Sequence, residues 1–379
     1  MDISNLLIII SAISIFISIF LVIFLLSVKT KHKLSNALFA LFLIITAIDT
    51  SEQLFNLTVN GPSNLGMLRN TFAYLQIPAF YLYILSVCYS DFKLKPKHFL
   101  HVLPFLIANA ILIPRFYLVD LASKINFIVN RQNRIELQFN HVLFHIQIIV
   151  YIIAVFMVLK KAKKLYLENH AGTSINSYNW LFQFTTVLTF LYSVVLIKNI
   201  FKFSEYQNIS EWIKIAVLLF QLILICWYLF KALQHPNLFR NIDSKLKLVS
   251  DLILEEKKKK QLITIDKKDN EDLLKLQQYI IEEKPFLNPS LTIQDISNAL
   301  EIPVRNLSLL INHQLNQHFY DFINAYRIEY AKKILKDTTK NDLTILEILY
   351  EVGFNSKSSF NTAFKKYTNS TPTEYRKNL

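Results

Sequence analysis

Glycine is nearly missing from this chain: 379 residues hold four, at Gly61, Gly66, Gly172 and Gly353. That scarcity excludes glycine-rich phosphate loops and nucleotide-binding lids, which need several residues without a Cβ close together. Cysteine is scarcer still. Cys88 and Cys226 lie in apolar runs, fit no zinc spacing and suggest no disulfide framework, so they read as small buried hydrophobes. Charge is sparse as well, at 18% of residues, against 53% hydrophobic and a mean hydropathy of +0.31. No metal and no cofactor is expected from this inventory.

The net charge of +13 and a pI near 9.4 first suggest a nucleic-acid partner. Their distribution says otherwise. Residues 1–233 hold 19 Lys and Arg against 9 Asp and Glu, whereas residues 234–379 hold 22 against 19. Most of the positive charge lies in the apolar half.

That half contains seven apolar runs, near Leu6–Val28, Leu34–Leu57, Met67–Ser90, His98–Leu118, His141–Leu159, Trp180–Phe201 and Trp212–Leu233. A helix needs about 20 apolar residues to cross a bilayer and satisfies its own backbone hydrogen bonds there. The first run is too long for a signal-peptide core and follows Asp2 instead of a basic cluster, so it reads as a retained span. Lysines mark alternate loops: Lys29, Lys31 and Lys33; then Lys93, Lys95 and Lys97; then Lys160, Lys161, Lys163 and Lys164. The loop around Asn60-Gly61-Pro62 has none. The positive-inside rule then puts the N-terminus outside and everything after Leu233 in the cytoplasm. The expected location is the cytoplasmic membrane, with seven passes and lipids as a partner.

Four polar residues in this half are candidate sensing positions. Asp49 and Glu52 are three apart in the second run, where a carboxylate is a functional candidate by default; structural pairing with Arg69 is the plainer reading. His141 and His145 are four apart in the fifth run, a spacing that can hold a metal, but no third ligand is evident. Neither Lys198 nor Lys214 suits a retinal lysine.

Composition breaks at Gln234. Ile242, Leu246, Val249 and Ile253 form a short helical seam, which fits either a dimerising helix or one packed on its own chain. Glu255-Glu256-Lys257-Lys258-Lys259-Lys260 reads as a solvated face with i,i+4 pairs, or as a contact with anionic lipid. A second helix is expected over Asn270–Lys284. The expected organisation is a transmembrane domain over 1–233, a charged linker over 234–284 and a third domain over 285–379.

The last domain carries two helix-turn-helix patterns. In the first, Thr292 caps a helix with Ile293, Ile296, Ala299 and Leu300 inward. Glu301-Ile302-Pro303 turns, and a helix from Val304 to about Gln314 buries Leu307, Leu310 and Ile311. Its other face offers Arg305, Ser308, Leu309 and Asn312. A long helix follows over Phe319–Lys336. In the second pattern Ile345, Ile348, Leu349 and Val352 face inward, Gly353 turns, and Ser356 caps a helix with Phe360, Ala363 and Phe364 inward. Lys357, Ser358, Asn361 and Thr362 face outward, with Lys365 and Lys366 at its end. Arg or Lys can donate to guanine and Asn can pair with adenine in a major groove, while Ser, late lysines and helix N-termini hold phosphates.

Leu291–Arg376 resembles the AraC/XylS-type DNA-binding domain, in which a long helix joins two helix-turn-helix units. The resemblance is carried by EVGFNSKSSFNTAFKKYTNSTPTEYR, by Tyr326-Arg327-Ile328 with Ala331 through Leu335, and by LTIQDISNALEIPVRNLSLLIN. It implies base-reading positions at Arg305, Ser308 and Leu309, and at Lys357, Ser358, Ser359, Asn361 and Thr362. Asn312 joins the first group. Ser356, Lys365, Lys366 and Arg327 are assigned to phosphate. Glu301, Asn316 and Asn369 stand where the family commonly has glycine, and Leu309 where it has a polar residue, so the second unit is expected to read more of the sequence. The plan also resembles membrane-anchored bacterial members, including His235-Pro236 after the last run. It implies an all-α protein that couples a signal to transcription as a homodimer on double-stranded DNA, not an enzyme. A sensor kinase would need a nucleotide lid and a histidine block, yet after Leu233 the only glycine is Gly353 and the histidines are His235, His313 and His318. The other reading is a seven-span receptor or transporter whose tail binds a protein. The signal ligand, the operator and the sign of regulation are not written in the sequence.

Overall fold

A computed structural model of the chain describes residues 3–28, 33–172, 175–202, 204, 207–234 and 267–379. The seam at Ile242–Ile253, the charged stretch at Glu255–Lys260 and His235-Pro236 lie outside the described residues. Among the described residues the secondary structure is helical and no strand forms; an isolated antiparallel bridge joins His170 to Thr292. The chain divides into two compact units, one of residues 1–159 and 180–241, the other of residues 160–179 and 242–379.

The first unit is a set of apolar helices: α1 (Ile3–Ser27), α2 (Lys33–Thr50), α3 (Glu52–Thr58), α4 (Asn64–Thr71), α5 (Gln76–Cys88), α6 (Leu103–Leu112), α7 (Leu121–Val129), α8 (Ile135–Asn169), α9 (Ile175–Lys202) and α10 (Gln207–Gln234). Seven helical stretches are long and apolar enough to cross a membrane: Asn5–Ser27, Lys33–Thr50, Asn64–Cys88, Pro96–Tyr117, Ile135–Asn169, Tyr178–Lys202 and Asn208–Lys231. They coincide with the seven runs, and their ends differ for local reasons. The second run breaks at Ser51, whose hydroxyl turns back to the Ile48 carbonyl at 2.6 Å. The third passes through a tight 3-10 turn at Phe72–Leu75, and the fourth, which holds Pro104 and Pro114, ends in a wide turn at Ile113–Tyr117. The fifth does not stop at Leu159. Its helix runs through Lys160–Lys164 to Asn169, because Lys, Ala and Leu favour helix and Ala162, Leu165 and Tyr166 find burial.

Phe39 anchors the core of this unit, stacked on Tyr228 at 3.9 Å between centroids and in contact with Tyr83 and Phe184. Polar side chains cross-link the helices. Gln76 donates to Thr46 at 2.6 Å and accepts from Tyr192 at 3.0 Å, and Gln221 donates to Thr50 at 2.9 Å. Such bonds stand in for the water that is excluded there.

In the second unit α11 (Lys267–Glu282) precedes α12 (Ile293–Leu300), α13 (Val304–Leu309), α14 (Phe319–Lys336), α15 (Ile345–Glu351), α16 (Lys357–Thr368) and α17 (Pro372–Lys377). Leu276 and Ile280 of α11 share one core with Ile293, Ile296, Leu307, Ile311, Phe319 and Ile323. The helical unit therefore starts before the boundary expected at Pro285. A second core joins Ile328, Ile334 and Leu335 to Ile348, Leu349, Phe354, Phe360 and Phe364. The two cores share α14, whose 18 residues span roughly 27 Å. Ala299 is exposed instead of inward; Ser297 takes the inward place and donates to the Ile302 carbonyl at 2.7 Å.

Candidate functional site

Each helix of the second helix-turn-helix pattern begins at a satisfied cap. Thr344 accepts from the Glu347 amide while Glu347 accepts from the Thr344 amide, at 3.1 and 2.7 Å. Ser356 accepts from the Ser359 amide at 3.3 Å and starts α16. Between them Gly353 has φ +87°. A Cβ there would lie 2.5 Å from the Phe286 carbonyl oxygen and 2.7 Å from that of Leu287, so glycine is required twice over, by conformation and by space. Glu301, Asn316 and Asn369 all sit at positive φ, between 50° and 57°, as their places in the glycine pattern suggested. Asn carries that conformation at small cost, Glu at more.

These turns set what α13 and α16 present. Lys357, Ser358, Thr362 and Lys365 are exposed on α16 and Asn361 is half-buried beside them, so four of the five assigned base-reading residues of this helix line one polar face. Ser359 is the exception: it is buried at 2%, on the same side as Phe360 and Ala363. On α13 Arg305 is exposed and Leu309 half-buried, but Ser308 is buried at 4% beside Leu307. Neither serine reaches a base edge from there. Asn312 lies in the wide turn after α13 and meets His318 Nδ1 at 3.0 Å. Asn312, Asn316, His318, Asp321, Lys366 and Tyr367 line a polar cavity of about 350 Å³.

Two assignments to phosphate change. Arg327 is 1% exposed. Its Nε donates to the Phe286 carbonyl at 2.7 Å, Nη2 to that of Asn288 at 2.7 Å, and Nη1 to Ala171 at 2.6 Å and to Asn324 Oδ1 at 3.1 Å. A guanidinium so enclosed ties backbone together and is closed to a phosphate. Burial lowers its pKa to about 10, which still leaves it charged at neutral pH. Lys366 is exposed but paired with Asp321 at 2.6 Å, which leaves Lys365 and the Ser356-capped end of α16 as the freer phosphate groups.

The candidate sensing residues of the first unit fall in one polar cluster. Glu52 pairs with Lys214 at 2.8 Å, not with Arg69. Arg69 Nη1 instead donates to the carbonyls of Ile48 and Asp49 at 3.1 and 3.0 Å. Asp49 lies within electrostatic reach of Lys198, Glu52, Arg69 and Lys214. The rings of His141 and His145 meet edge to face at 5.4 Å, and His145 Nε2 meets Asn199 at 3.2 Å; Lys198 acts on both histidines and Lys202 on His141. From the sequence Lys198 was weighed only as a retinal lysine and Lys202 not at all, although their i,i+4 spacing at the end of the sixth run was visible. Among the described residues no group of three or more His, Cys, Asp or Glu is placed to hold a metal.

The geometry of the second unit is that of a double helix-turn-helix module, with α13 and the Ser356-capped α16 held on one connecting helix, α14. Comparison with known proteins agrees. Residues 296–378 match the family described as a helix-turn-helix domain, and this part of the chain is a helix-turn-helix domain of the AraC type. Such a domain is regulatory, not enzymatic. An uncharacterized HTH-type transcriptional regulator of Staphylococcus aureus (strain COL) is 36% identical over 86 residues, which are 23% of this chain and 11% of that protein. The melibiose operon regulatory protein of Escherichia coli (strain K12) is 31% identical over 88 residues, 23% of this chain and 28% of that protein. The match thus spans well under a third of either relative. No solved structure matches the chain.

Proposed function

We propose that the chain is a transcription regulator held in the cytoplasmic membrane by seven spans, with its N-terminus outside and its double helix-turn-helix domain in the cytoplasm. One observation supports the coupling of the two halves: Ala171, in the short connection between the fifth and sixth candidate stretches, is buried in the core that holds Leu276, Ile280 and Ile293. The lysine-marked loops support the orientation, since this connection is one of the basic ones. Lys357, Ser358, Asn361 and Thr362 read bases, Arg305 and Leu309 with Asn312 read a neighbouring groove segment, and Lys365 with Ser356 holds phosphate. The domain from Pro285 has only 11 basic against 9 acidic residues, so single-chain affinity is modest and a homodimer gains by effective concentration. A genome-wide footprint of the full chain beside a chain truncated after Leu233 tests this: specific sites for the first only are expected, and their absence from both overturns it.

The sensing end is read at Asp49, Glu52, His141 and His145. Arg69, Lys198, Lys202 and Lys214 surround them, and neither Lys198 nor Lys202 makes a hydrogen bond or ion pair with a described residue. That surplus of cation suits a small anionic ligand, a carboxylate or a phosphate ester. Thermal-shift titration of the solubilised chain with acetate, citrate and inorganic phosphate tests it; a shift that survives Lys198→Met and Lys202→Met sinks the assignment.

A further inference from the structure

The strongest contact that the DNA-reading function leaves unused is where residues 166–172 meet Arg327. We infer that Tyr166–Gly172 is a latch: seated on the Arg327 socket, it holds the two helix-turn-helix units in their reading arrangement, and its withdrawal weakens sequence-specific binding. The inference rests on the proposed DNA-reading function and names what regulates it.

The seat is made by main chain. The Ala171 amide donates to the Leu291 carbonyl at 3.1 Å, His170 forms an antiparallel bridge with Thr292, and the Ala171 carbonyl accepts from Arg327 Nη1 at 2.6 Å. Ala171 is 1% exposed and belongs to the core that contains Leu276, Ile280 and Ile293. The segment is shaped for that place. The ring of buried Tyr166 stacks on His170 at 5.1 Å with 6° between planes, and a Cβ on Gly172 would stand 2.8 Å from the Tyr166 hydroxyl. A side chain at 172 would therefore have to displace the end of the Tyr166 ring from its place against His170.

Arg327 also lies where the two reading units meet. Its guanidinium carbon is 5.4 Å from the centroid of Phe354, a core residue of the second unit, and it fixes the Phe286 carbonyl on which Gly353 rests. Withdrawal of Ala171 leaves a buried charged donor without one acceptor, a costly state that repacking around Phe354 and Phe286 would relieve. The segment touches the reading arrangement without covering it, since Lys357, Ser358 and Thr362 stay exposed. It is also the end of a stiff element. α8 is one helix of 35 residues, and Tyr166 lies in its last turn.

The test uses the full chain in lipid nanodiscs, with Cys88→Ala and Cys226→Ala. His170→Cys with Thr292→Cys places two thiols at a bridge pair, whose Cα separation of about 4.5–5.5 Å suits a disulfide. Oxidation is expected to link this pair far more than His170→Cys with Ser358→Cys, as read by mass spectrometry of the joined peptides. The linked protein is expected to bind its operator at least as tightly as its own reduced form, which controls for the lost Thr292 cap. Gly172→Val is expected to bind that operator about tenfold more weakly, with non-specific DNA binding unchanged. Linkage no greater than in the control pair overturns the docking; an unchanged operator affinity for Gly172→Val overturns the regulation. If the native chain prefers no sequence, the DNA-reading function has failed and with it the regulation; linkage then still decides the docking alone.

Discussion

Gly353→Ala is the sharpest perturbation of the reading unit, because two independent costs fall on one methyl group. A left-handed backbone costs an L-residue about 1–2 kcal/mol. Gly353 stands at φ +87°. The added Cβ also meets the Phe286 and Leu287 carbonyl oxygens at 2.5 and 2.7 Å. One of these cannot easily retreat, since Phe286 is the acceptor of Arg327 Nε at 2.7 Å. Overpacking of this kind costs about 1–3 kcal/mol, so the total is about 2–5 kcal/mol. In the full chain, native-state hydrogen exchange of α15 and α16 should quicken by a factor of about 30 or more. Glu301→Gly separates the two causes: it relieves only a positive φ, 57°, and should stabilise by about 1 kcal/mol. A Gly353→Ala loss below about 0.5 kcal/mol refutes the close approach of the 286–287 backbone, whatever Glu301→Gly does.

Lys357→Ala and Asn361→Ala should each weaken operator binding by about 1–3 kcal/mol and relax the preference at one base pair, as measured by competition with single-base operator variants; equal losses on all sequences would make them phosphate contacts. Lys365→Ala should lower the salt slope of binding by about 1, and Lys366→Ala by less, because its ammonium is already paired with Asp321; the reverse order would reject the pairing in solution. Glu347 and Glu374 are held below the usual glutamate value of 4.5, chiefly by accepting the backbone amides of Thr344 and Thr371. Their folded values are depressed, so their stabilisation is present above about 4.5 and is lost as pH falls through the lower folded value. Hydrogen exchange at the starts of α15 and α17 should quicken in that acid window, and Glu347→Gln should remove the pH dependence at α15.

Much of this was legible from periodicity and composition. Seven apolar runs became seven apolar helices, and Phe319–Lys336 is helical over the residues that its pattern marked. Glycine-like positions were legible too: the three non-glycine residues at family glycine places all took positive φ. Ends were not legible where charge and helix propensity disagree. Lys160–Lys164 ends an apolar run yet continues a helix, since burial of Ala162, Leu165 and Tyr166 decides the outcome. Arg327, Ser308 and Ser359 were misread because residue type was weighed above position. Arg327 lies four residues after Ile323 and four before Ala331, Ser359 four before Ala363, and Ser308 three before Ile311, so spacing alone put each on a buried side.

The same error explains why net charge is a poor guide in this chain. Cations occur here in three roles that composition cannot separate. Lys357 and Lys365 stand exposed on a reading helix, Lys366 is neutralised by Asp321, and Arg327 is spent inside the domain on three carbonyls and an amide oxygen. Only the first kind can touch DNA directly, and the surplus of 11 over 9 in the last domain is small however the pairs are counted, since Lys366 and Asp321 cancel from both sides. A reader with so little field depends on a fixed arrangement of few contacts more than on attraction to any duplex. Such a reader is sensitive to what holds its two units in register. On the proposed latch, a buried arginine and the loop backbone that it grips act on the same reading arrangement as the exposed lysines, by holding it instead of by touching DNA.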